Sequence, residues 1–292
     1  METRVLRYYL AVVAEGNISA AANALHITQP TLSRQIKELE EELDVTLFYR
    51  KGKTIELTKE GRYLAEHAKD IVRLINKTTS NINQSEEIYG EVNLGLAESI
   101  AIQKIAHTIK SITESYSEIK YNLYSGNAEQ IMEKLENGLL DFGVVIEPTN
   151  KVEYETLSLK ATDQWGILTR KDSEFEGLTT IEPSMILHKP LMISVQRGVE
   201  TMIANLLNVN KDHLNIIVRY NLLYNAALLV KEGVGHAITI DGIINTDNTD
   251  LKFIPFNPSI QSELSLIWKK DKPLSEASKV FLEEMKYFLL NE

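Results

Sequence analysis

The chain has 292 residues, a net charge of −10 and no cysteine. That length allows two or three domains with substantial cores, and the missing thiols exclude disulfides, thiolate metal sites and a cysteine nucleophile. No run approaches the ~18 apolar residues of a membrane span, and the N-terminal METRVLRYYLAVVAEG lacks a signal peptide's cleavage pattern, so a cytoplasmic protein is expected. The charge is uneven. Residues 1–60 hold eight Lys/Arg against nine Asp/Glu, so most of the negative excess lies further along. Loose affinity for a polyanion follows the local patch and not the total.

Residues 3–15 predict a first helix. Val5, Leu6, Tyr9, Leu10 and Val13 give a 3.6-residue period, and Gly16-Asn17 ends it. Two short helices with a tight turn follow in NISAAANALHITQPTLSRQIKELEEEL, residues 17–43. The first, about Ser19 to His26, carries Ala20, Ala21, Ala22 and Ala24, small enough for another helix to approach closely. Thr28 has the chemistry of an N-cap. Pro30 falls in the first turn, where a missing N–H does no harm. Leu32, Ile36, Leu39 and Leu43 form one stripe facing a core. Opposite lie Pro30, Ser33, Arg34 and Lys37, with no acid among them. The acids Glu38, Glu40, Glu41, Glu42 and Asp44 come only afterwards. A helix polarised in this way can insert its first two turns into a polyanion's groove, as a helix-turn-helix reads DNA.

Two β-prone runs, Val45–Tyr49 and Thr54–Leu57, then flank Lys51-Gly52-Lys53. The glycine suits a tight hairpin. Arg50, Lys51 and Lys53 would stand at its tip, a wing bringing cations to phosphates or the minor groove. The plainer reading of those charges is a solvated hairpin.

The stretches AANALHITQPTLSRQIKELEEEL and LFYRKGKTIELTKEG resemble the DNA-binding domain of the LysR-type transcriptional regulators. Paired alanines, a turn, Gln-Pro-x-x-Ser-x-x-Ile, Leu-Phe-x-Arg and Leu-Thr-x-x-Gly stand in the family's order and spacing. The resemblance implies a winged helix-turn-helix over residues 1–58, with a DNA-binding surface of Ser19, Thr28, Gln29, Pro30, Thr31, Ser33, Arg34, Lys37, Arg50, Lys51 and Lys53.

Residues 58–88 predict a long helix starting at Thr58. Leu64, Ala68, Ile71, Ile75, Thr78 and Ile82 recur at spacings of four and three, a narrow heptad seam with polar flanks. Such a seam favours self-association over packing on its own core. It agrees with the dimerising linker helix of the family, expected here over residues 59–89, and Thr78 would weaken the pairing or help set its register. NKTTSNINQSEE and Gly90 mark a boundary.

From Glu91 strands and helices alternate, which argues parallel sheets. EVNLGL, IKYNLY and DFGVVI are strands around the helices IAIQKIAHTIKSITESY and NAEQIMEKLENG. A strand pair, YETLSLK and QWGILTR, leads into a second set. PLMISV, LNIIVRY and GHAITI are its strands, GVETMIANLLNV and NAALLVKEG its helices. LKFIPF and ELSLIWKK add strands, and SEASKVFLEEMKYFLL closes as a helix. Two similar sets argue two α/β lobes. The family resemblance extends here through element order and patches such as SGNAEQIMEKLENGLLDFGVVI. It implies a two-lobed, periplasmic-binding-protein-like α/β effector domain over residues 90–292. Lobe 1 would cover about 90–161 and 267–292, and lobe 2 about 162–266.

No metal-spaced histidine pair, Walker loop or nucleophile elbow is present, and Gly233-Val234-Gly235 precedes a strand instead of opening a helix. An enzyme and a bound cofactor are therefore unsupported, and no metal site is expected. Ligands of open α/β sheets sit where strands run into helices. Those junctions hold Glu98, Ser99 and Ile100; Ser125 and Asn127; Ser194, Gln196 and Arg197; and Asn221 to Asn225. Family likeness turns them toward a cleft, with an effector contact at Ser99. His236 is a further candidate, though a plain core histidine is the commoner case. Arg197 favours a carboxylate-bearing effector; Glu98 puts that in doubt or asks for an amino group.

The expected protein is a LysR-type regulator of promoter DNA. It would act as a homodimer or homotetramer with a small-molecule effector and RNA polymerase as partners, and no membrane. Its half-sites would lie about one turn, ~34 Å, or a multiple apart. The rival is a cytoplasmic small-molecule-binding or catalytic α/β protein whose N-terminal helices serve only oligomerisation.

Overall fold

The apolar stripes of the first three helices face one another. The computed structural model, which describes residues 1–51, 54–82 and 88–292, divides into the units Met1–Asn83 and Gln84–Glu292. In the first unit, α1 (Thr3–Glu15), α2 (Ile18–Ala24), α3 (Gln29–Leu43) and the first half of α4 (Lys59–Ile82) enclose Leu6, Tyr9, Val12, Leu32, Ile36, Leu39 and Ala68. Gly16 ends α1 in the left-handed region at φ 60° and donates its N–H to the Val12 carbonyl, a conformation that favours glycine. Asn17 caps α2 by accepting from the N–H groups of Ser19 and Ala20. Thr28 caps α3 by accepting from Thr31.

Two expectations need correction here. The stripe of α3 closes at Leu39: Leu43 is 37% exposed, at the last residue before the left-handed Asp44 turns the chain away. The hairpin starts late, with β1 at Phe48–Lys51 paired antiparallel to β2 at Thr54–Leu57. The Glu40 carboxylate accepts the N–H groups of Leu47 (2.7 Å) and Phe48 (3.3 Å), and Val45 N–H bonds the Glu40 carbonyl. Residues 45–47 are thereby held to the end of α3 instead of pairing as strand.

Thr58 starts α4. Its hydroxyl accepts the Gly61 N–H (2.8 Å) and donates to the Thr46 carbonyl (2.7 Å). The buried Tyr9 hydroxyl donates to the Gly61 carbonyl at 2.6 Å, which ties α1 to the same turn.

In the second unit, β3 (Gly90–Leu96), α5 (Ile102–Ser115), β4 (Ile119–Ser125), α6 (Ala128–Glu136) and β5 (Phe142–Ile146) form the first lobe's parallel set. The next strand, β6 (Tyr154–Arg170), is the 17-residue crossing strand. The second lobe's parallel set is β7 (Leu191–Ser194), α7 (Val199–Leu207), β8 (Ile216–Tyr220), α8 (Leu223–Lys231) and β9 (His236–Ile240). The chain closes with β10 (Leu251–Pro255), β11 (Gln261–Lys269) and α9 (Glu276–Asn291).

The strands follow the order β4-β3-β5-β11-β6-β9-β7-β8, with β10 on β6. The sheet is mixed and not purely parallel, because β6 and β11 run antiparallel to their neighbours. The two runs read as a strand pair are one strand. Neither Gly nor Pro breaks the link Ala161-Thr162-Asp163 between them, and β11 lies alongside from Tyr154↔Lys269 to Gln164↔Gln261. This pair carries the chain between lobes. Lys160 takes a positive φ of 48° there, and the β6/β11 register shifts between Glu263 and Ser265. Just beyond, the buried Trp165 donates its indole N–H to Ser262 Oγ at 2.8 Å.

Candidate nucleic-acid interface and ligand cleft

The exposed side of α3 follows from what its other side buries. With Leu32, Ile36 and Leu39 all at 1% exposure or less, the helix must turn Gln29, Pro30, Thr31, Arg34 and Lys37 to solvent, and Ser33 is half-buried. Ser19 and Thr28 are exposed beside them. Arg34 pairs with Glu38 (3.5 Å) and Lys37 with Glu41 (3.1 Å) one turn on. Exposed i,i+4 pairs of this kind are weak, so both cations can exchange their carboxylates for phosphate or base edges. Arg50 and Lys51 lie on β1. Gly52 and Lys53, the expected tip, lie outside the described residues, and so does anything about the side chains of Arg50, Lys51 and Ile82.

The seam of α4 is divided. Ala68 is fully buried and Leu64 partly buried in the unit's own core, because α1 packs along the first half of α4. Ala68 therefore has no surface for a second copy. Ile71 is 37% exposed, Ile75 half-buried and Thr78 exposed, its hydroxyl bonded back to the Leu74 carbonyl. Leu74, absent from the predicted seam, is 39% exposed beside them.

In the second unit, the carboxyl ends of β3, β4, β5, β7, β8 and β9 converge on one cleft holding about 510 Å3 of atom-free space, part of it open to solvent. Lobe 1 contributes Ala97, Glu98, Gly126, Asn127 and Ile146. Lobe 2 contributes Ser194, Gln196, Val199, the run Tyr220 to Leu223, Thr239, Ile240 and Ile243, and Trp165 lines it from the crossing strand. Of the residues read from sequence, Glu98, Asn127, Ser194 and Gln196 are brought together here. Asn221, Leu222 and Leu223 of the junction Asn221 to Asn225 join them, and Trp165, Tyr220 and Thr239 were missed. Nothing in their local pattern separates them from core residues; only the meeting of two lobes does.

Glu98 spans the cleft. Its Oε2 accepts the Leu223 N–H at the start of α8, at 2.6 Å. Burial pushes its pKa up, and that N–H pulls it partly back. Two further bonds join the lobes: Gln196 Nε2 donates to the Ile146 carbonyl (3.3 Å), and Arg197 N–H to Glu129 Oε1 (3.1 Å). Tyr220 donates its hydroxyl to the Ile238 carbonyl at 2.7 Å.

Five predicted contacts lie elsewhere. The Arg197 side chain is 90% exposed and does not line the cleft; its Nε lies 4.0 Å from Glu129 Oε1 of lobe 1, the oxygen that also accepts its backbone N–H, and the left-handed Gly198 follows it at the start of α7. His236 is the first residue of β9, at the end of the strand opposite the cleft. There it is buried, bonded to Thr169 (2.8 Å) and packed on Phe175, its pKa lowered by burial against the opposing pull of Glu174. Ser125 and Ile100 line an adjoining groove with Gly242. Ser99 also faces that groove, and its hydroxyl is engaged, accepting the Ala101 N–H (2.9 Å) and donating to Asp163 Oδ1 (3.0 Å). Asp163 is buried at the lobe crossing with its other oxygen unpartnered. Burial pushes its pKa up to about 6, with Asp241 adding to the rise and the Ser99 hydroxyl opposing it. Among the described residues no group of His, Asp or Glu could hold a metal ion, and no helix is long and apolar enough to cross a membrane.

Two family models match the chain: the bacterial regulatory helix-turn-helix protein, lysR family, over residues 3–62, and the LysR substrate binding domain over residues 85–289. Among curated proteins of Bacillus subtilis (strain 168), the HTH-type transcriptional regulator YwbI is 28% identical, covering 99% of this chain and 97% of its own. The HTH-type transcriptional regulator BsdA is 26% identical, covering 97% and 99%. Among solved structures, CbnR, a LysR family transcriptional regulator, superimposes with a TM-score of 0.74 at 20% identity, covering 99% of each chain. Full-length CbnR complexed with its target DNA gives 0.71 at 22% identity, covering 99% of this chain and all of that one.

Proposed function

The chain belongs to the LysR family of bacterial helix-turn-helix transcriptional regulators, and from that premise we propose which of its residues read DNA, pair subunits and sense a ligand. It is a DNA-binding regulator with an effector-binding domain, and not an enzyme. The division proposed is 1–58 for DNA binding, 59–89 for the linker helix and 90–292 for the effector domain.

In the proposed interface the first two turns of α3 enter the major groove. Gln29, Ser33 and Arg34 face base edges; Ser19, Thr28, Pro30, Thr31 and Lys37 frame them; and Arg50, Lys51 and Lys53 hold phosphate or the minor groove. The observation that carries this reading is the exposed polar and basic face of α3 opposite a stripe that is wholly buried. Two copies pair through the open part of the α4 seam. That gives a cytoplasmic homodimer or homotetramer which engages a partly palindromic promoter and works with RNA polymerase. A small molecule in the cleft biases the two lobes and so the placement of subunits on DNA. Fluorescence anisotropy against duplexes from upstream of the chain's own gene tests the reading. Binding to that DNA should exceed binding to a scrambled duplex and fall steeply with salt; equal affinity for both sinks it.

A further inference from the structure

All four strand-to-helix junctions around the cleft are already bonded by the chain's own oxygens. Ser99 accepts the Ala101 N–H at the head of α5 (2.9 Å), and Asn127 accepts the Gln130 N–H in α6 (3.0 Å). Ahead of α7, Ser194 accepts from Gln196 (3.2 Å) and Glu129 from Arg197 (3.1 Å). At α8, Glu98 accepts from Leu223 (2.6 Å). N–H groups at helix starts are what would hold an anionic ligand group. Here at least one N–H at or just ahead of each helix start is engaged, and two of these N–H groups hold carboxylates. Among the described residues lining the cleft, Glu98 is the one charged side chain; no Lys, Arg or His is present, and Arg197 points to solvent. A carboxylate entering the cleft would compete with these internal bonds and approach a half-buried like charge, which is costly in a site of low dielectric.

We propose that the cleft selects an organic cation, a primary ammonium on an apolar body. The ammonium donates to Glu98, and the body lies among Ile146, Trp165, Leu222 and Ile240. This rests on the cleft being the effector site. The same geometry sets a pH dependence. Among the described residues lining the cleft, Tyr220 is the titratable side chain beside Glu98, whose charge helps to raise the Tyr220 pKa, and Leu223 contributes a backbone donor. A bound cation draws the Glu98 pKa back down. Binding at acid pH therefore releases a proton, and affinity falls as pH is lowered through the Glu98 titration.

The test uses the full chain and matched probes: hexylamine, hexanol and hexanoate, and 3-phenylpropylamine with its alcohol and acid. Thermal shift and titration calorimetry are run on wild type, Glu98→Gln, and the cleft-filling Ile243→Trp, with Gln196→Trp in reserve should that variant not fold. The expected result is stabilisation by an amine, weaker binding of its alcohol and none of its acid. Glu98→Gln keeps an acceptor for Leu223 but should lose about 10-fold or more of the amine affinity, with the alcohol unchanged. An acid that binds wild type and is lost on filling the cleft overturns the cation while leaving the cleft as the site. Any probe still bound by the filled variant overturns the cleft itself. Failure of both amines to stabilise wild type overturns the proposal.

Discussion

Gly61 packs directly against the Leu47 backbone, so Gly61→Ala should measure that packing. A Cβ built on Gly61 would lie 2.2 Å from the Leu47 carbonyl oxygen and 2.9 Å from Leu57 Cδ2. The leucine side chain can shift, but the carbonyl is backbone: it accepts the Thr58 N–H, and Leu47's own N–H is held by Glu40. Overpacking of this kind costs about 1–3 kcal/mol. Gly61 is not in the left-handed region, so alanine's better helix propensity returns at most ~1 kcal/mol. The net expectation is roughly 1–2 kcal/mol of destabilisation. For a unit of this size that lowers the melting temperature by roughly 5–15 °C. Scanning calorimetry of the whole chain checks it, following the transition of the DNA-binding unit, since the two units can melt separately. The Tyr9 hydroxyl, bonded to the Gly61 carbonyl, should lose order with it, visible as faster hydrogen exchange at the start of α4. An alanine variant that melts at or above wild type would refute the reasoning, because it would mean that α4 can retreat from Leu47 without cost.

Three further outcomes are expected. Ile71→Ala with Ile75→Ala should dissociate the subunits at concentrations where wild type stays associated, since truncating a buried Ile costs ~2–5 kcal/mol; equal masses by analytical ultracentrifugation would clear this seam of the role. Arg34→Ala should lose affinity for operator DNA by ~1–3 kcal/mol more than for a scrambled duplex, and a salt series showing equal losses would make it a phosphate contact. Asp163, with its pKa raised to about 6, binds a proton more tightly folded than unfolded. Its contribution is therefore full below the unfolded value of about 4 and is lost as pH rises toward 6, a difference of roughly 1–3 kcal/mol. Urea unfolding at pH 4.5 and 7 should show that loss in wild type and not in Asp163→Asn, and an identical pH response in both removes Asp163 as its source.

The local rules of the chain settled most of the first unit. Leu32, Ile36 and Leu39 at spacings of four and three allow one buried face, and Thr28, Pro30 and Gly16 mark ends through backbone chemistry that needs no distant partner. The alternation of strand and helix in the second unit was legible for the same reason, and with it the junctions at which Glu98, Asn127, Ser194 and Gln196 stand. Tertiary structure decided whatever depends on two distant segments meeting. The first half of the α4 heptad is spent on α1, which no spacing within α4 could reveal. Arg197 and His236 carry suitable chemistry at suitable places in the sequence. The first ends up exposed beside Glu129 outside the cleft lining, and the direction of β9 puts the second at the wrong end of the sheet. Glu98 reads as an isolated acid along the chain. It becomes the bond between lobes only because α8, some 125 residues further on, brings an N–H to within 2.6 Å of it.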